Sequence, residues 1–144
     1  MAIEKRELLD FMRAHPLGVV STTSKSGAPE AALVNIVSTD ELELIFYTIQ
    51  TNRKCINLRR DPRIAVVIGW DSEMTMQYEG VADEPQYEEL DRLKRIYGAS
   101  RPNAEFKMSW PGLTYFRVRP KWIRLSNYGQ NWSLEEMSFP QALR

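Results

Sequence analysis

Between Gly18 and Ala82 the chain offers five short strand-forming runs interrupted by one short helix, and this crowding most limits the fold. Gly18–Thr23 reads as a strand, and Ser24-Lys25-Ser26-Gly27 as a turn. Ala31–Val37 is a mostly apolar run, the pattern of a strand buried on both faces. Thr39-Asp40-Glu41 turns the chain into a third strand, Leu42–Thr48, and Arg63–Trp70 and Met74–Ala82 supply two more. In the last, Thr75, Gln77 and Glu79 alternate with Met74, Met76 and Tyr78, giving one polar and one apolar face. Helices are expected over 3–14, with Leu8, Leu9 and Met12 on one side, and over 86–97, with Leu90, Leu93, Ile96 and Tyr97 at helical spacing. A loop over 98–112 holds two prolines and two glycines, and strands 113–119 and 122–126 follow.

Strands joined by tight turns run antiparallel. Six or seven in so short a chain favour a small barrel, because closure removes exposed edges. The expectation is a mainly β (α+β) domain over residues 1–144, a six- to seven-stranded antiparallel split barrel with flanking helices. Alternating α and β elements are missing, which argues against a Rossmann-type nucleotide site. Lys+Arg and Asp+Glu both number 19, so no general attraction to nucleic acid is expected. No apolar run is long enough to cross a membrane, and the charged start MAIEKRELLDFM does not read as a signal peptide. A cytoplasmic location is therefore expected. One cysteine and one histidine leave no internal disulfide and argue against a Cys/His metal site.

The stretch Thr51-Asn52-Arg53-Lys54 poses a charge problem. A helix reads from Thr51 or Asn52, both good N-caps, to the stop at Asp61-Pro62. Arg59 and Arg60 suit the negative end of its dipole, but Arg53 and Lys54 sit at the positive end. Either they are solvated surface residues with a small, screened penalty, or an anion such as phosphate completes the site. Thr48, Thr51 and Asn52 would supply further donors.

An ordered series of residues decides between these readings. His15-Pro16-Leu17-Gly18, Gly27-Ala28-Pro29, Phe46-Tyr47-Thr48, Asn52-Arg53-Lys54, Asn57-Leu58, Asp61-Pro62-Arg63 and Glu79-Gly80 together resemble the pyridoxamine 5'-phosphate oxidase-like flavin-binding split barrels. The resemblance runs from about residue 8 to residue 85, and loosely to 128. It implies a homodimer that binds FMN at the subunit interface. It also implies FMN phosphate at Arg53 and Lys54, with Asn52 where many members carry Ser. Thr48 and the backbone of Val34 and Asn35 would lie along the flavin. Gln77 would reach the cofactor from the partner subunit, and Trp122 is the tryptophan placed nearest it.

Two departures bear on function. The second strand, Glu30-Ala31-Ala32-Leu33-Val34-Asn35, lacks the arginine that pyridoxamine phosphate oxidases carry near the phosphate. The chain also ends without the Arg- and His-bearing segment that holds their substrate, which argues against vitamin B6 oxidation. The function implied is an FMN-dependent oxidoreductase acting on another small molecule. The alternatives are a non-catalytic flavin or haem binding protein and a deazaflavin-dependent reductase. No catalytic side chain is assigned: His15 reads as a helix-end residue and Cys55 as a packed small hydrophobe.

Overall fold

A computed structural model describes residues 3–104 and 110–140. The elements run α1 (Lys5–Ala14), β1 (Leu17–Thr23), β2 (Pro29–Asn35), β3 (Val37–Ser38), β4 (Leu44–Ile49), α2 (Arg53–Arg60), β5 (Arg63–Ile68), β6 (Met74–Asp83), α3 (Tyr87–Ser100), β7 (Leu113–Asn127) and β8 (Ser133–Ser138). A 3-10 turn, Pro102–Ala104, follows α3. The strands form an antiparallel sheet in the order β2-β1-β5-β6-β7-β4-β3, with β8 paired to β7. β2 and β3 adjoin in sequence yet occupy opposite ends of this order, so the sheet curls toward itself as a split barrel.

The alternation read in β6 holds: Met76 and Tyr78 are buried and Gln77 and Glu79 exposed. The inner faces of the strands and one side of α1 enclose the main core, in which Leu8, Phe46, Tyr78 and Phe116 are all 1% exposed or less. A second cluster joins Leu93 and Tyr97 of α3 to Val37, Ile45 and Tyr115.

Several expectations are corrected. The Ala31–Val37 run divides at Ile36, whose N–H bonds to the Pro16 carbonyl, and the chain passes from one end of the sheet to the other. Nor is this run buried on both faces, since Leu33 is 59% exposed. The two last strands are one, β7, which continues through Pro120. Proline cannot donate to a ladder, and a register shift at Glu79/Gly80 accommodates it. Gly80 is required there, because a Cβ would stand 2.4 Å from the Arg119 carbonyl oxygen. Helix α3 extends to Ser100, past the expected end at 97, and β8 occupies a segment in which no strand was expected. Residues 105–109 of the expected loop lie outside the described residues.

Candidate functional site

Strand β4 leads directly into α2, and this junction shapes the site. The Gln50 N–H bonds to the Gly112 carbonyl and the Asn52 N–H to that of Ile49, fixing the turn. Cys55 and Leu58 bury one side of α2 in the core. Asn57, 5% exposed, donates to Thr22 Oγ1 at 3.0 Å and to Glu30 Oε1 at 2.8 Å, tying α2 to β1 and β2.

Asn52 holds the N-cap position but does not cap. Its Nδ2 instead donates to Thr48 Oγ1 at 3.0 Å, and no side chain caps the helix. The first turn also lacks an acidic residue, whereas Glu7 and Glu88-Glu89 occupy the first turns of α1 and α3. The positive end of α2 is thus left without the neutralisation given to the other helices.

A groove of about 290 Å³ opens beside this end. Val34, Asn35, Thr48, Asn52 and Lys54, five of the residues proposed from sequence, line it. Leu33, Tyr97 and Trp110 add apolar and aromatic surface. A second cavity of about 430 Å³ shares Asn35 and Tyr47 with it and is bounded by Arg101. Their combined size suits a small-molecule cofactor with room for a second molecule.

The two cations at the helix start are placed differently. Lys54 is half-buried on the groove wall and makes no hydrogen bond or ion pair among the described residues. Burial holds its pKa below the ordinary lysine value, because no nearby carboxylate offsets the lost hydration. Arg53 is 76% exposed in its side chain, lies outside the groove lining and pairs with Glu30 at 2.9 Å.

Gln77 and Trp122 do not line the groove either. Leu33, Val19, Val67, Gln77, Arg124 and Glu136 are successive cross-strand partners and so share the outer face of the sheet. Gln77 is three strands from Leu33, roughly 14 Å along the sheet. Trp122 lies on the same face one strand further, donating its indole N–H to Glu136 at 3.0 Å.

Arg101, which bounds the second cavity, was missed by sequence reasoning, as were Leu33, Tyr47 and Tyr97 of the groove itself. Arg101 Nη2 donates to Asn35 Oδ1 at 2.7 Å. Reading α3 to its true end at Ser100 would have placed Arg101 at its C-cap, about one turn beyond Tyr97. Tyr47, Tyr97 and Tyr115 cluster beside it, with ring centroids 5.2 to 6.2 Å apart. Burial raises the pKa of Tyr97 and of Tyr115 to about 12, so both stay neutral phenols near neutral pH. The Cys55 thiol is buried and its pKa raised by that burial, consistent with packing rather than reactivity. His15 packs on Phe11, with Nδ1 2.8 Å from the Phe11 carbonyl, outside the groove. Among the described residues no cluster of His, Cys, Asp or Glu could hold a metal ion, and no helix is long and apolar enough to cross a membrane.

A family model for pyridoxamine 5'-phosphate oxidase matches residues 5–127. The chain belongs to this family of split-barrel proteins. Pyridoxine/pyridoxamine 5'-phosphate oxidase of Burkholderia mallei is 33% identical over 99 residues, which cover 67% of this chain and 44% of that one. The chain thus spans less than half the length of the curated relatives it matches. Among solved structures, a haem binding protein of Mycobacterium smegmatis superimposes with a TM-score of 0.80 at 17% identity, over 96% of this chain and 59% of that one. A putative pyridoxamine 5'-phosphate oxidase of Listeria innocua does so at 0.71 and 21% identity, over 84% and 96%. At such identities these structures establish the shared fold.

Proposed function

We propose that the groove binds FMN and that the protein is an FMN-dependent oxidoreductase acting on a small molecule. The observation that carries this reading is Lys54: a half-buried, unpaired lysine beside a helix start that has no side-chain cap and no acidic residue. Phosphate would satisfy both deficits together. Lys54 and the first N–H groups of α2 bind the phosphate, and Thr48 and Asn52 hold the entrance. The backbone of Val34 and Asn35, on the groove wall, would hold the flavin ring. FMN supplies two-electron redox chemistry when bound, so no protein nucleophile is required. Arg101, in the adjoining cavity, presents a guanidinium to an acidic group on the second molecule.

We further propose a homodimer that completes the site. Gln77 and Trp122 stand too far along the sheet to serve their own groove, so a second copy would supply them. Leu33, Val67 and Trp70, between 40% and 59% exposed, are apolar surface that such a dimer would cover. A monomeric mass by light scattering at micromolar concentration would overturn this part.

The first test is a visible spectrum after adding FMN and removing the excess. About one retained flavin per chain supports the reading, and NAD(P)H then probes its reduction. Reoxidation by an added acceptor no faster than free flavin would favour a non-catalytic binding protein. Failure to retain FMN sinks the reading. A stronger preference for a deazaflavin would reassign the cofactor. The haem alternative draws on the Mycobacterium smegmatis neighbour, and a Soret band on titration would support it. His15 lies outside the groove and Cys55 is buried in the core, so an axial ligand to haem would have to come from Tyr47 or Tyr97 on the groove wall.

A further inference from the structure

Glu30, at the start of β2, is held from two sides. Its Oε1 accepts from Asn57 Nδ2 at 2.8 Å, and its Oε2 lies 2.9 Å from Arg53 Nη1. Asn57 is buried and bonded also to Thr22, so the carboxylate has a fixed support. The more exposed member of the ion pair is Arg53, whose side chain is 76% exposed against 20% for Glu30. Arg53 is thereby held outside a groove that its neighbour Lys54 lines. One carboxylate offsets one of the two cations, and an incoming dianion meets a single net positive charge.

We infer that Glu30 is a specificity-determining residue: it sequesters Arg53 and so limits how strongly the groove prefers a phosphorylated flavin to an unphosphorylated one. The inference rests on the FMN reading of the same groove. Such an ion pair is weak because its arginine is solvated, but a phosphate can recruit Arg53 only by breaking it. It must also bind in the field of the carboxylate left behind. Removing the negative charge lifts both penalties at once.

The test measures dissociation constants for FMN and riboflavin, which differ only in the phosphate. Glu30→Gln keeps an amide oxygen for Asn57 and removes the charge that holds Arg53. The expected result is about a tenfold gain in FMN affinity, or about 1.4 kcal/mol, with riboflavin affinity unchanged. Adding Arg53→Ala to Glu30→Gln should erase most of the gain. An unchanged FMN-to-riboflavin ratio in Glu30→Gln overturns the inference, as does a gain that survives loss of Arg53. If neither the native protein nor the variant binds either flavin, the FMN reading falls with it. If both proteins bind both flavins alike, this inference alone falls.

Riboflavin affinity also reports an intact groove. If Glu30→Gln loses riboflavin as well, Glu30→Ala with Arg53→Met becomes the deciding variant, because it removes the whole ion pair and leaves the net charge beside Lys54 unchanged. Sequestration predicts that its FMN-to-riboflavin ratio stays within about threefold of the native one, because a withheld cation contributes little. A fall as large as that from Lys54→Ala overturns the proposal.

Discussion

Arg117 and Lys54 are both cations drawn into the protein, and they are treated in opposite ways. Arg117, on β7, has a side chain only 7% exposed and is surrounded by carboxylates. It donates to both oxygens of Asp83, at 3.2 and 2.7 Å, and to Glu89 at 2.7 Å. These bonds join β7, β6 and α3, and they complete the charge within the chain. Lys54 makes no such bond among the described residues, although burial already disfavours its charged form. A cation that the chain satisfies by itself reads as structural. One left half-buried and unpaired beside a cavity is a candidate ligand contact.

The contrast is broken most forcefully at Arg117. Breaking a fully buried ion pair costs ~3–5 kcal/mol. Asp83 and Glu89 are 40% and 49% exposed and recover some hydration, so Arg117→Ala should lower stability by about 2–3 kcal/mol. Urea denaturation measures this, and a loss under about 0.5 kcal/mol would deny Arg117 its structural role. Lys54→Ala should do the reverse. Stability should hold or rise slightly as the desolvated charge disappears. FMN affinity should fall about tenfold to a hundredfold while riboflavin affinity stays level, because one charge-assisted bond contributes roughly 1.5–3 kcal/mol. Equal losses for the two flavins would remove the phosphate from Lys54.

Titration sharpens the same point more gently. The folded pKa of Lys54 lies below its ordinary value, so the unfolded chain retains the proton to higher pH than the folded one. Raising pH through the interval between the two values should therefore stabilise the free protein. Phosphate binding favours charged Lys54, so the FMN-to-riboflavin affinity ratio should fall over that same rise. A ratio that stays flat through this interval would mean that the lysine proton is not linked to phosphate.

Parts of this arrangement were legible in the sequence because they are local. The alternation of Met74–Ala82 appears in β6, and the short helix expected between Phe46-Tyr47-Thr48 and Asp61-Pro62 is α2, whose Lys54 lines the groove. What escaped depends on distant parts of the chain. The apolar character of Ala31–Val37 could not distinguish burial by its own chain from an outer face left exposed. Pro120 suggested a strand end because the bulge that tolerates it lies opposite, at Glu79/Gly80. The division of labour between Arg53 and Lys54 was invisible for the same reason: it is set by Glu30, 23 residues earlier in the chain and brought to 2.9 Å from Arg53 by the fold.

The smallest change would make α2 resemble α3. Neither α2 nor α3 has a side-chain cap, but α3 begins with Glu88 and Glu89, whose charges favour its positive dipole end, whereas the first turn of α2 holds no acidic residue. Asn52→Asp would put a carboxylate at that vacant position without changing side-chain size. In the free protein it should add about 0.3–1 kcal/mol of stability, by capping the helix and offsetting Lys54. The same charge would repel an incoming phosphate, so FMN affinity should fall several-fold while riboflavin affinity holds. The two effects have opposite signs because one positive helix end serves either an internal carboxylate or an external anion. Denaturation and flavin titration of this variant measure both directions. A change that stabilises the fold and leaves FMN affinity untouched would show that the helix start was merely uncapped and that phosphate binds elsewhere.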